Sequence, residues 1–582
     1  MKVDVYDKNN FSLVVSRADD PNLWSPYESS DNGILIAIAG RIALDSNQWE
    51  EARKVGGTGG LACKAIYQSY QSQGPKSLES LNGHYVVIVF DRNTQKCYLA
   101  VDRCGMVPCF YLDTLETPPA FSSHPDVLAT VCGFSKDWDE ISMAEFVLTG
   151  KVSYPHTYYN KIKSADFGSL HTIDMRADSS LGKTKKKCFP FEYKINSACN
   201  EWSLAEQLAT AFRKAVTRRT LPLFGKTGIS LSGGLDSRAI LCSTEPADHI
   251  VTFCFFDEEN REYSIAKAIA KKKNVQLIPL KRNFEYYGET AEMGIRICGG
   301  MGSIFNNHFL GFRTRFKELG IENLITGFYC DYFFKALALD RTKNRWTQRE
   351  TLANFGYEWY RPIYWLKTPL SDQVKDRLNS IFTTDLRNDK SQAGPLRITE
   401  KRLFPLSYEP DHAETTIPQR VLSWYLPTVD NDIMNVYQTI PPQYKLNTSM
   451  YSKMVQLLCG KEISQITNIN TGAPVNASFV RVLFQRYLSA LHHRLEKKYK
   501  PTIALSGSWP NWEYYIRHSQ VLQGFWNRKS PDAAEFAAKL LGTDPFQRAP
   551  SQYQQREVDL FSRLLTIKIW IEQRTGMGDF ER

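Results

Sequence analysis

The sequence predicts an α/β protein in two parts: an N-terminal sandwich of sheets flanked by helices, then a doubly wound parallel sheet with a helical C-terminal part. Three observations predict it. Residues 1–174 read as short strands and turns, with apolar runs of strand length at Gly33–Gly40 and Tyr85–Phe90 and a helix-compatible run at Gly60–Tyr70. From Trp202 onward helices alternate with buried-looking strands: a helix over Trp202–Arg219 with Leu204, Leu208, Phe212 and Val216 on one face, a strand at His249–Phe256, a helix at Tyr263–Lys273 and a strand at Val275–Leu280. Within the second region, between its first helix and the strand at His249–Phe256, the apolar run Gly228–Leu231 stops at Ser232-Gly233-Gly234-Leu235-Asp236-Ser237, and a helix-compatible run, Arg238–Ser243, begins at once.

At 582 residues the chain is too long for one core. It divides into 1–190 and 191–582, behind the polar connecting stretch Asp178–Lys187 and the turn Phe189-Pro190-Phe191. With 42% hydrophobic and 13% aromatic residues it can fill large cores, which excludes a disordered chain. The net charge of +10 is modest, and the basic clusters Lys183–Lys187 and Arg486–Lys500 are scattered, so they read as solvated faces and no nucleic-acid partner is expected. The 12 cysteines show no Cys-x-x-Cys pair or metal spacing; Cys242 and Cys254, inside apolar runs, are expected to be reduced, buried thiols of a cytoplasmic protein. No signal-like apolar core begins the chain and no later run reaches membrane-span length. In the tail, Phe479–Lys500 and Phe561–Glu572 are compatible with long helices whose aromatics pack a core.

Strand, Gly-rich loop and helix make an anion site, because glycines let the backbone come close and the first N–H groups of the helix point at the guest. The natural guest is a phosphate chain. This loop lacks the Lys-Ser/Thr ending of a Walker loop and carries Asp236 instead, which suits a magnesium ion bridging the acid and the phosphates. The pattern resembles the pyrophosphate-binding loop of the ATP pyrophosphatases, which split ATP to AMP and pyrophosphate.

Three N-terminal segments, Leu81–Asp91, Asp102–Tyr111 and Ala120–Ser123, resemble in order and spacing the class II glutamine amidotransferase domain, an N-terminal-nucleophile αββα sandwich. Followed by the SGGLDS loop, the arrangement is similar to glutamine-dependent asparagine synthetase, whose relatives include the β-lactam synthetases and lasso-peptide cyclases. The resemblance implies a cysteine nucleophile after Met1, yet position 2 is Lys2. The Asn-Gly-Glu turn of the glutamine pocket reads Ala39-Gly40-Arg41, and the Asp-x-Glu that should follow reads Gly57–Ala62. Nucleophile and pocket are both lost, so this half is expected to be catalytically silent.

In the second half, Thr326-Gly327-Phe328-Tyr329-Cys330-Asp331 stands where the family holds Ser-Gly-Glu-Gly-x-Asp-Glu. Carried over by position, the resemblance implies that Leu231, Phe255, Thr326 and Gly327 hold adenine and ribose. Ser232, Gly233, Gly234, Leu235, Asp236 and Ser237 hold the phosphates of ATP, and Asp236 and Asp331 share Mg2+. Two departures stand out: the family's Glu or Tyr is Phe328, and its charge-steadying lysine is Asn470. Arg238 and Lys453 are the candidate replacement cations. The resemblance implies an AMP-forming ligase joining a carboxylate to ammonia or a substrate amine, a precursor peptide being one candidate substrate. A sugar-acid amidating enzyme and a nucleotide-binding assembly partner are the other readings, with a homodimer or a pathway protein as candidate partners.

Overall fold

The structure, a computed structural model, describes residues 2–8, 11–17, 20–31, 33–114, 118–176, 183–195, 198–245, 247–356, 366–478, 480–488, 491 and 507–576. Alternation along Gly83–Asp91 sets the layers of the N-terminal half. Val87 and Val89 face one side, where they pack with Ile36 and Ile38 against Trp49, Ala52, Cys63 and Ile66 of the helices Ser46–Arg53 and Leu61–Gln73. Val86 and Ile88 face the other side and meet Val107, Cys109 and Ala165. Phe110–Leu112, Phe121–Ser122 and Ile162–Ser164 form a second, three-stranded sheet, covered in turn by Pro125–Val131 and Glu140–Thr149. The result is the expected αββα sandwich.

Its six-stranded antiparallel sheet runs in the order Lys183–Lys187, Ser169–Asp174, Lys96–Val101, Gly83–Asp91, Ile34–Ile42, Tyr27–Glu28. Lys183–Lys187, read from sequence as part of a connector, is therefore the outermost strand. It takes its conformation from pairing with residues 169–173, and its lysines blunt an edge that would otherwise invite further strands.

The second half is built on five parallel strands in the order Leu277–Lys281, Ile250–Phe256, Thr227–Ser230, Asn323–Ile325, Ser423–Tyr425. Numbered along the chain, that is 3-2-1-4-5. The order reverses between the first and fourth strands, so a crevice opens at their carboxyl ends, where doubly wound sheets bind ligands. The anticipated helices form at Glu201–Thr217 and Arg261–Lys273, and the C-terminal one spans Val558–Thr575. Of Phe479–Lys500, residues 480–488 are helical and most of the rest lies outside the described residues. All 12 cysteines are free; Cys254 is buried as expected and Cys242 half-buried. Among the described residues no helix is long and apolar enough to cross a membrane.

The two halves meet around Asp430. Its carboxylate, fully buried, accepts from Arg219 at 2.6 Å and Arg218 at 3.1 Å, from the Asn82 amide at 2.9 Å, and from the N–H of Asp432 at 3.0 Å. Burial opposes its ionisation, and the two guanidinium groups and the amide overcome that, holding the carboxyl below the usual aspartate range. Motif residues of the sandwich are spent on the same junction. Arg41 Nε donates to Ser423 at 2.9 Å, His84 pairs with the Trp424 carbonyl at 3.0 Å and Arg103 donates to Asn435 at 2.8 Å. A Cβ on Gly105 would fall 2.4 Å from Pro405.

Removing the Asp430 carboxylate strands buried Arg219, so Asp430→Ala should cost about 3–5 kcal/mol in denaturant unfolding, the scale for breaking a buried pair. A carboxyl with a depressed folded pKa stabilises above the unfolded value of about 3.9 and loses that contribution as pH falls through the folded one. Asp430→Asn should accordingly flatten the acid limb of a stability–pH curve below about pH 4; an unchanged limb would remove Asp430 from that role.

Candidate functional site

The crevice at the reversal point is lined by the two segments the sequence singled out. Strand Thr227–Ser230 ends in a loop whose Ser232 N–H donates to Ser237 Oγ at 2.9 Å, while the Gly234 N–H donates to Ser232 Oγ at 3.1 Å. These bonds fix the loop from inside. The nine-residue helix Leu235–Ser243 follows with Gly234 as its N-cap, and no side chain caps it. Leu231, buried at the strand end, donates its N–H to the Phe253 carbonyl at 2.8 Å.

Glycine is required where the two segments touch. A Cβ on Gly327 would fall 2.9 Å from Asp236 Cβ and 3.1 Å from its carbonyl carbon, so the fourth strand's end lies directly on the loop helix. A Cβ on Gly233 would fall 3.1 Å from Ile469 Cβ, and the Ile469 N–H donates to the Gly233 carbonyl at 3.0 Å. A Cβ on Gly234 would meet only Ser232 Oγ, at 3.2 Å. The segment 468–473 thus lies against the loop, with Asn470 exposed.

The other sequence-derived positions divide. Thr326 is buried, and its hydroxyl is occupied by Trp424 Nε1 at 3.1 Å. Phe255 is half-buried in an aromatic wall with His308 and Phe312, its face 5.6 Å from the Arg282 guanidinium carbon. Phe328 packs between Phe309 and Trp424 and offers only its backbone carbonyl, to Thr428, as a polar contact.

Both proposed replacement cations are committed to protein partners. Arg238 is fully buried and donates to the carbonyls of Ile466 at 2.8 Å, Thr467 at 2.9 Å, Ile463 at 3.3 Å and Gly233 at 3.5 Å. It is a clamp that holds segment 463–467 against the loop. Lys453 is paired with Glu201 of another helix.

The cation at the acids is one that sequence reasoning missed. Lys335 Nζ lies 2.8 Å from Asp236 Oδ2 and 2.5 Å from Asp331 Oδ1, with 9% of its side chain exposed. The Asp331-x-x-x-Lys335 spacing, an acid four residues before a lysine on a helical turn, was the available signal. Burial works against the charge of Lys335, but the two carboxylates hold its pKa above the ordinary lysine value. Burial, opposed by Lys335 and reinforced by Asp331, pushes Asp236 up to about 6. Magnesium takes oxygen ligands near 2.1 Å in octahedral array. The acids are brought together as expected, but their shared position holds an ammonium, and no cluster of three metal-ligating side chains occurs among the described residues. As placed here, the pair holds the Lys335 ammonium at the position a shared magnesium would take. The one carboxylate oxygen left without a partner at Asp236 is Oδ1.

Comparison with known proteins finds an asparagine synthetase-like family. Residues 57–184 match a glutamine amidotransferase domain. Asparagine synthetase [glutamine-hydrolyzing] 2 of Bacillus subtilis (strain 168) is 22% identical over 277 residues, 44% of this chain and 36% of that protein. Putative asparagine synthetases of Mycobacterium tuberculosis (23% over 244 residues; 40% and 37%) and Methanocaldococcus jannaschii (25% over 206 residues; 35% and 34%) are similar. The matches span little more than a third of those relatives' length. Among solved structures, glutamine phosphoribosylpyrophosphate amidotransferase from B. subtilis covers 45% of this chain and 48% of its own at 13% identity and a TM-score of 0.20, too loose to place any residue.

The glycine contacts give a test of the crevice. Gly327→Ala should lower stability by about 1–3 kcal/mol through overpacking against Asp236. Gly234→Ala, meeting one hydroxyl, should stay within about 0.5 kcal/mol. Equal thermal shifts for the two variants would contradict the described approach of strand and helix.

Proposed function

We propose that this asparagine synthetase-like chain is an ATP-dependent carbon–nitrogen ligase that forms an amide through an acyl adenylate. A substrate carboxylate oxygen attacks the α-phosphorus, and the bond to the β-phosphate breaks to release pyrophosphate. An amine then attacks the acyl carbon and AMP leaves. The observation that carries the reading is the Ser232–Ser237 loop at the reversal point of a 3-2-1-4-5 sheet, with an uncapped helix N-terminus behind it.

In this reading the loop N–H groups bind the phosphates, while Leu231, Phe255, Thr326 and Gly327 line the nucleoside side. Magnesium bound with the ATP would neutralise phosphate charge, and Asp236, the acid of the loop, would be the side chain placed to hold it. Arg238 fixes the loop from below without touching the guest. The amine is ammonia or a group of the substrate rather than glutamine nitrogen, a reading supported by Arg41 in place of the pocket acid. Arg41 bolts the sandwich to Ser423 instead, at 2.9 Å. The amidotransferase-like half is then a scaffold. Cyclisation of a precursor peptide suits a carboxylate and amine carried on one substrate, and amidation of a sugar acid is the competing substrate class; both reactions belong to the cytoplasm. Phe328 and Asn470 favour a second reading, a nucleotide-binding partner in an assembly that does no chemistry.

Pyrophosphate release, screened with ATP, magnesium and precursor peptides, sugar acids or aspartate, tests the proposal. One carboxylate class should raise release well above the ATP-only rate, and Gly234→Val, which fills the space over the loop, should weaken ATP binding by at least about tenfold. A protein that binds ATP and releases no pyrophosphate with any of them is the assembly partner of the second reading. Glutamine should yield no glutamate above a buffer control; release that a thiol-directed glutamine analogue abolishes would show that another cysteine serves as nucleophile.

A further inference from the structure

We propose that Lys335 is the fixed cation of this site: its ammonium takes the place of a divalent ion between Asp236 and Asp331, and it passes from Asp331 to a phosphate oxygen when a nucleotide occupies the loop. The second half of this rests on the nucleotide reading of the loop; the first half does not.

The geometry carries it. Nζ is within hydrogen-bond distance of both acids, 2.8 Å from one and 2.5 Å from the other, so an ion bridging the same oxygens would have to evict a side chain that is 9% exposed. Eviction is expensive, because a buried lysine that leaves two carboxylates strands them both. The partners are unequal. Asp236 belongs to the loop helix and keeps 21% of its side-chain exposure, whereas Asp331 keeps 54% and can return to water at little cost. Asp331 is thus a placeholder anion, and the ammonium it releases is a compact point charge of the kind that binds phosphate. The position also answers a vacancy in the sequence, since Asn470 supplies no charge and Arg238 and Lys453 are committed to carbonyls and to Glu201.

The test separates the two halves. In Mn2+ titrations followed by electron paramagnetic resonance, without nucleotide, the parent protein and Lys335→Arg should bind no ion at the acids. Lys335→Met should gain one, and Lys335→Met/Asp331→Asn should lose it again. Parent protein that binds Mn2+ and loses it on Asp331→Asn alone would overturn the proposal, and exposed Asp331 makes that variant safe for folding. In calorimetric ATP titrations, Asp331→Asn should bind as tightly as the parent or more so, and Lys335→Met at least about tenfold more weakly. A tenfold loss in Asp331→Asn with Lys335→Met unaffected would make Asp331 the functional ligand and Lys335 mere packing. Should the parent bind no ATP while the Mn2+ pattern holds, the nucleotide reading falls and the built-in cation stands.

Discussion

Asp430 is a charge with no water around it, and the two halves of the chain are arranged to satisfy it. Arg218 and Arg219 come from the end of the helix before the first parallel strand, Asn82 from the start of a sandwich strand, and the Asp432 N–H from the helix that Asp430 itself begins. Three remote segments are fixed in one step. Strand Ser423–Tyr425, a few residues upstream, is thereby held against Arg41 and His84, and it forms the edge of the sheet whose centre carries the crevice. The sandwich is bound to the second half through this junction. Its motif residues Asn82, His84, Arg103 and Gly105 serve the junction.

The crevice repeats the pattern on a smaller scale. Gly327 allows the fourth strand to lie on Asp236, Gly233 allows segment 468–473 to lie on the loop, and Arg238 ties the carbonyls of Ile463, Ile466 and Thr467, just ahead of that segment, to the Gly233 carbonyl. Such contacts hold the loop and the start of its helix in one arrangement, which is what a pre-organised site demands. Against that rigid floor the charge is concentrated in one place, the Asp236–Lys335–Asp331 triad.

Much of this was legible in the sequence wherever the signal is local. Alternation located the sandwich strands, helical spacing located Glu201–Thr217, and the two glycines ahead of Asp236 marked the loop. Long-range facts were not legible. Lys183–Lys187 has no apolar alternation and is a strand only because residues 169–173 pair with it. Arg238 reads as a surface or phosphate-facing arginine until segment 463–467 folds over it, and Lys453 reads as free until Glu201 is placed beside it. Lys335 was visible as the partner of Asp331 at helical spacing, but its contact with Asp236 depends on the reversal in strand order, which no local pattern encodes.

The central claim is that this crevice is a phosphate cradle whose cation is a side chain. Diffraction from crystals grown with a non-hydrolysable ATP analogue and magnesium tests it most directly. The account requires the phosphates over the N–H groups of residues 233–237, with Lys335 Nζ bonded to a phosphate oxygen and any magnesium held by the phosphates and Asp236 alone. A nucleotide seated elsewhere, or a magnesium ion coordinated by both Asp236 and Asp331 with Lys335 displaced, would contradict it.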